Sequence, residues 1–112
     1  LQCQQCHNKK TVKMLEKQLE KKLKTEVERL GGLCLKLVTP GFTGIPDRLV
    51  VMPAGVVYFI EVKKPGKTPD ARQDVVIDNL RALSHNVWVL DSEESLKLVI
   101  DWIKASIKER IG

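Results

Sequence analysis

Apolar residues return every three or four positions along the first part of the chain: Val12, Leu15, Leu19, Leu23, Val27 and Leu30. Lysine and glutamate fill the positions between them. That spacing draws one apolar stripe along a helix and leaves the other faces to water. Gly31-Gly32 follow the stripe, where the end of a helix favours glycine. The period then changes. Leu33 to Val38, interrupted by Lys36, reads as a short strand. Thr39 to Pro46 is rich in proline and glycine and reads as a loop. Arg48 to Met52 is a second strand, closed by a tight turn at Pro53-Ala54-Gly55. Val56 to Lys63, with its β-branched and aromatic residues, is the strongest strand in the chain.

Lys64-Pro65-Gly66-Lys67-Thr68-Pro69 is a basic loop. Residues 70–84 follow a helical pattern, with Ala71, Val75, Leu80 and Leu83 near one face. Val87-Trp88-Val89-Leu90 reads as a short buried strand. Asp91 or Ser92 can cap a last helix whose stripe is Leu96, Val99, Ile100, Ile103 and Ile107. The predicted order is therefore helix, three strands, helix, strand, helix. The step from strand 56–63 to strand 87–90 implies a parallel pair with a right-handed crossover, and the turn at 53–55 an antiparallel pair. The expected class is α/β, a small mixed sheet flanked by helices. One domain spans residues 11–112, preceded by a polar, flexible arm over residues 1–10.

Length and charge narrow this only slightly. A chain of 112 residues can hold one core. Nineteen Lys+Arg against fourteen Asp+Glu give a net charge of +5, which suits a phosphate-rich partner without establishing one. No apolar run of about 18 residues exists, so no membrane span is expected. The N-terminal residues lack the apolar stretch of a signal peptide, and three cysteines are an odd count for a disulfide framework. A cytoplasmic, reducing setting is the expectation. Cys3-x-x-Cys6-His7 has the spacing of c-type haem attachment, and CxxC begins many zinc sites. Haem attachment would need export. Zinc would need two more ligands, and only Cys34 and His85 remain, on unrelated segments. The motif is therefore read as part of the arm, Cys34 as a core residue and His85 as a capping or surface residue. Trp88 and Trp102 read as core or interface residues.

The chemistry gathers elsewhere. Asp47 opens one strand; Glu61 and Lys63 close the next. Strand alternation sends Val57, Phe59, Glu61 and Lys63 to one face and Val56, Tyr58, Ile60 and Val62 to the other. The hairpin brings Asp47, fourteen residues before Glu61, to the same end of the sheet. Two carboxylates on adjacent strands repel unless a cation or a lysine lies between them. The spacing fits a surface Glu61–Lys63 ion pair with Asp47 in a turn. It equally fits oxygen ligands for a hard cation beside an amine, which metal-assisted phosphodiester hydrolysis needs.

A wider set of residues carries a resemblance. Gly41-Phe42-Thr43-Gly44-Ile45-Pro46-Asp47-Arg48, then Phe59-Ile60-Glu61-Val62-Lys63-Lys64-Pro65-Gly66, then Gln73, together with the preceding Gly31-Gly32 and Lys36, resemble the VRR-NUC family of the PD-(D/E)xK nuclease superfamily. The similarity runs from about Leu19 to Asp91. It implies a restriction-endonuclease-like core and Mg²⁺- or Mn²⁺-dependent cleavage of DNA. Asp47 and Glu61 would then bind the metal with the backbone carbonyl of Val62, and Lys63 would orient or deprotonate the attacking water. Glu20 would join from the first helix, directly or through water, and Gln73 would stand near the active site. Read alone, Glu20 is a solvated residue facing Lys24 at i+4, and Gln73 an exposed helix residue. Lys36, Arg48, Lys64, Lys67 and Arg72 are expected to meet the DNA backbone. A domain this small resembles the virus- or prophage-type members, which implies a homodimer acting on branched DNA such as a four-way (Holliday) junction. The alternative is a catalytically silent DNA-binding module of the same fold.

Overall fold

Seven elements form in the order that the apolar spacing gives: α1 (Gln2–Arg29), β1 (Leu33–Lys36), β2 (Arg48–Val51), β3 (Val57–Val62), α2 (Ala71–Ala82), β4 (Asn86–Leu90) and α3 (Glu93–Ile111). The computed structural model describes residues 2–64 and 67–111, with side chains from Glu16 onward. The side chains of Cys3, Cys6, His7, Val12 and Leu15 thus lie outside the described residues. α1 begins at Gln2, well before residue 11 where the apolar stripe starts. The segment expected to be a loose arm therefore has helical backbone from Gln2. It holds no glycine or proline, its glutamines and lysines are good helix formers, and an adjoining helix propagates into it.

The end of α1 fixes the start of the sheet. Gly31 takes a φ of 88°, and Gly31 N donates to Glu28 O (3.0 Å) while Gly32 N donates to Val27 O (2.9 Å). These bonds satisfy carbonyls that the helix end leaves open. A Cβ on Gly32 would lie 2.6 Å from Val51 O, so only glycine lets the chain pass this close to β2.

The strands lie in the order β1-β2-β3-β4, the first two pairs antiparallel and β3–β4 parallel. Val50, Tyr58, Ile60, Val62 and Leu90 present one face to α1 and α3. There they bury against Leu19, Leu23 and Val27 of α1 and Leu96, Val99, Ile100 and Ile103 of α3. Among the described side chains, Leu19, Leu23, Val27 and Leu30 of the first stripe and Leu96, Val99, Ile100, Ile103 and Ile107 of the last are the residues that pack. Ser92 caps α3: its Oγ accepts from Ser95 N (3.1 Å), and Ser95 Oγ accepts from Ser92 N (3.1 Å).

α2 covers part of the other face. Its buried residues are Val76 and Ile77, whereas Val75 and Leu83 stand exposed. The expected face of Ala71, Val75, Leu80 and Leu83 is thus corrected. Two apolar stripes overlap in this helix, and packing selects Val76, Ile77 and Leu80, the stripe that also carries Gln73. Trp88 packs on the edge of the core and Trp102, more than half exposed, lies with its ring centroid 6.3 Å away.

Candidate active site

Asp47 stands one residue ahead of β2, and Glu61 is the fifth of six residues in β3. Arg48 pairs with Ile60, so the next step along the ladder brings Asp47 level with Glu61. Two hydrogen bonds hold them there. Asp47 N donates to Glu61 Oε1 (3.1 Å), and Val62 N donates to Asp47 Oδ1 (3.3 Å). Leu37 N donates to Asp47 O (2.8 Å), which ties the same residue to the chain leaving β1.

Glu61 is 4% exposed and is the one buried charged residue among those described. A carboxylate in that position needs partners, because desolvation without them is very unfavourable. Its Oε2 accepts from Gln73 Nε2 (3.0 Å) and lies 3.2 Å from Lys63 Nζ. Burial pushes the carboxyl of Asp47 up, and the charge of Glu61 pushes it further, to about 6; the Val62 N–H and Arg48 act in the opposite sense. A pair of carboxylates under this strain favours a cation between them. The donors are carboxylate oxygens, which suit a hard divalent cation.

Gln73 does two jobs. Its backbone N donates to Asp70 Oδ1 (2.8 Å) while its Oε1 accepts from Asp70 N (3.2 Å), closing the first turn of α2 as a capping box. The amide nitrogen of the same side chain then reaches Glu61. Reading Gln73 as an exposed helix residue missed this. The signal was present in Asp70-x-x-Gln73, and in the spacing of Gln73 with Val76, Ile77 and Leu80.

Glu20 meets Arg48. The guanidinium Nη2 lies 3.3 Å from Glu20 Oε2, and both side chains are half-buried. Glu20 is therefore neither solvated nor gathered directly with the other two acids. Among the described residues, no three His, Cys, Asp or Glu side chains converge as a metal cluster. Arg48 stands between the α1 acid and the Asp47 end of β2.

The remaining basic residues spread around this end. Lys36 is exposed on β1, opposite Arg48; Lys64 is half-buried and Lys67 exposed. Arg72 is engaged within the fold. Its Nε donates to Thr43 O (3.3 Å) and its guanidinium carbon lies 5.6 Å from the centre of the Phe42 ring. Gly44, with a φ of 87°, sits against it: a Cβ there would be 2.9 Å from Arg72 O. Arg72 thus ties α2 to the loop that delivers Asp47. No local pattern joins residues so far apart in the chain, so the sequence reading missed that contact. A cleft of about 520 Å³ lined by His85, Asn86, Ser106, Glu109 and Arg110 lies at the opposite end of the sheet and includes none of these residues.

Comparison with known proteins gives two close likenesses. The chain is 46% identical over 79 residues to a protein named "Putative nuclease p44" from Acyrthosiphon pisum secondary endosymbiont phage 1, covering 70% of this chain and 85% of that protein. It superposes on a solved VRR-NUC domain with a TM-score of 0.74 and 38% identity, over 77% of this chain and 94% of that one. No family model matches.

Proposed function

This chain belongs to the VRR-NUC family, and on that premise we propose that it is an endonuclease that hydrolyses DNA phosphodiester bonds with Mg²⁺ or Mn²⁺. Its proposed substrate is branched DNA such as a four-way junction, cut by a homodimer in the host-cell cytoplasm. One observation carries the enzymatic reading. A buried Glu61 is locked to Asp47 across two strands, with Lys63 3.2 Å from the same carboxylate. A purely structural ion pair would not need the second acid, which raises the electrostatic strain.

Asp47, Glu61 and the carbonyl of Val62 would hold the metal, and Glu20 would join from α1, directly or through water. When bound, the ion neutralises phosphate charge and lowers the pKa of water. Lys63, beside Glu61, orients the attacking water and stabilises charge at the phosphorus. Gln73 keeps Glu61 in one rotamer. Lys36, Arg48, Lys64, Lys67 and Arg72 lie at the same end of the sheet or next to it, where they meet the DNA backbone. No helix among the described residues is long and apolar enough to cross a membrane.

A panel of four-way junctions, flaps and linear duplexes, each with Mg²⁺ or Mn²⁺, tests the proposal. Branched DNA should be cut, and cutting should vanish in Asp47→Ala and Lys63→Ala. No cleavage by the wild type, or unchanged cleavage by either variant, would sink the enzyme.

A further inference from the structure

The loop between β1 and β2 delivers Asp47, and on its way it exposes two large apolar side chains, Val38 at 71% and Phe42 at 50%. Single apolar residues are ordinary on a protein surface. These two stand on a loop that is built and not slack. Thr39-Pro40-Gly41-Phe42 has proline second and glycine third, with a φ of 78° at Gly41, the pattern of a type II turn. Phe42 N donates to Thr39 O (3.2 Å), and Thr39 Oγ1 donates back to Phe42 O (2.9 Å). A Cβ on Gly41 would meet nothing within 4 Å, so glycine serves the backbone angle there and not a close approach.

The loop is also pinned outside this turn. Leu37 N donates to Asp47 O (2.8 Å) across its base, Pro46 is fully buried, and Arg72 Nε donates to Thr43 O (3.3 Å). The guanidinium carbon of Arg72 stands over the Phe42 ring, 5.6 Å from its centre. Arg72 thus backs the ring, yet half of the side chain stays open to solvent. The next residue of α2, Gln73, reaches Glu61. Phe42 is therefore held at the rim of the proposed active site from two directions, through α2 and through the chain that runs on to Asp47.

We propose that Phe42 is a stacking platform for a nucleobase that has left its stack at a DNA branch point, next to the phosphate to be cut. The proposal rests on the nuclease reading and adds what selects the substrate. Asp47, Glu61 and Lys63 meet groups that every phosphodiester carries, so they cannot tell branched DNA from linear. The face of a base can. In a linear duplex it is covered by its neighbours, and it opens where strands part. An aromatic side chain offers such a base a flat apolar surface with little regard to sequence. A ring already fixed by a turn and an arginine loses little freedom on binding. Lys36, exposed on β1 just before this loop, is placed to meet phosphate on the same strand.

Four-way junctions and linear duplexes of one sequence, bound without divalent metal so that neither is cut, test this. Phe42→Leu keeps an apolar side chain against Arg72 and removes the flat ring. It should weaken junction binding by about 5- to 100-fold and leave linear duplex binding almost unchanged. Phe42→Tyr should bind both as the wild type does. Circular dichroism and melting should match the wild type in both variants, because the side chain is half exposed. With iodouracil at the branch point, ultraviolet light should join the base to position 42 in the wild type and in Phe42→Tyr, and not in Phe42→Leu. Any of four results would overturn the proposal: no junction binding by the wild type, unchanged junction binding by Phe42→Leu, equal weakening on both DNAs, or a crosslink at another residue. Cleavage with Mn²⁺ is read separately. A protein that meets the binding and crosslinking outcomes but cuts nothing keeps the platform and removes the nuclease. One that cuts junction and duplex in the same ratio with and without the ring does the reverse.

Discussion

The two faces of the sheet are built for different purposes. The face toward α1 and α3 is closed by seven buried helix residues packed on Val50, Tyr58, Ile60, Val62 and Leu90. The face toward α2 is covered by one twelve-residue helix, and it carries Glu61. Both faces share β3, so alternation alone separates Ile60 and Val62 from the carboxylate between them. A slip of one residue would bury Glu61 in the apolar core and turn Ile60 toward the proposed metal. Stability and chemistry thus occupy opposite sides of six residues. The thinly covered side is the one where a hydrated cation and a phosphate can approach.

The strongest test of that division swaps one residue on each side. Asp47→Asn should reduce cleavage by about 10³-fold or more, since it removes a charge the proposed metal needs. Its melting temperature should hold or rise, because Asp47 and Glu61 no longer repel. Leu23→Ala, in the closed core, should lower stability by about 2–5 kcal/mol. Its kcat per folded molecule should stay near wild type below the melting transition. Denaturant unfolding and single-turnover cleavage on the same samples decide. If Asp47→Asn unfolds the protein, or if folded Leu23→Ala is inactive, the two faces are not separable.

A sharper test asks what Gln73 is for. As the orienting partner of a metal carboxylate, its loss in Gln73→Ala should weaken Mn²⁺ binding and cleavage by about 10–100-fold. Gln73→Glu discriminates further. Glutamate is as good as glutamine at the third position of a capping box, so α2 should keep its start. It cannot donate to Glu61 and places another negative charge beside it. If capping is the whole role, Gln73→Glu behaves as wild type; if Gln73 positions Glu61, calorimetric Mn²⁺ affinity and kcat both fall.

Much of this was legible in the sequence because it rests on period and punctuation. The α1 and α3 stripes, the turn at Pro53-Ala54-Gly55 and the alternation through β3 are local signals, and they lead directly to the buried core. Asp47 beside Glu61 was also legible, since a hairpin of known length brings its ends together. The missed contacts are long-range or ambiguous. Val75 and Leu83 looked as good a face as Val76, Ile77 and Leu80, and only packing on β4 chose between them. Arg48 reaching Glu20, and Arg72 reaching Thr43, join segments 28 and 29 residues apart that no periodicity relates. Polar composition suggested an arm at residues 1–10, yet the same glutamines and lysines are helix formers, and the backbone is helical from Gln2.

The smallest expected effect concerns protons. The carboxyl of Asp47 is raised from 3.8 to about 6 in the folded chain, by burial first and by Glu61 second. Metal-free folded protein therefore holds this proton more tightly than the unfolded chain does. The stabilisation is complete below pH 3.8 and is lost as pH rises through about 6. Over that window the wild type should lose about 1–2 kcal/mol relative to Asp47→Asn, less than the ~3 kcal/mol of the full shift because solvent screens a half-buried carboxyl, and its melting temperature should move by several degrees. Other titrating groups are common to both chains and cancel in the difference. Divalent metal should act in the opposite sense, because it binds only the ionised pair. Added Mn²⁺ should raise the wild-type melting temperature near pH 7.5 and do little near pH 4.5, and it should leave Asp47→Asn almost unchanged at both. Parallel pH profiles for the two proteins would mean that Asp47 is not held against its charge. An equal Mn²⁺ response in Asp47→Asn would place the metal elsewhere, and the open face of the sheet would then lose its claim to the chemistry.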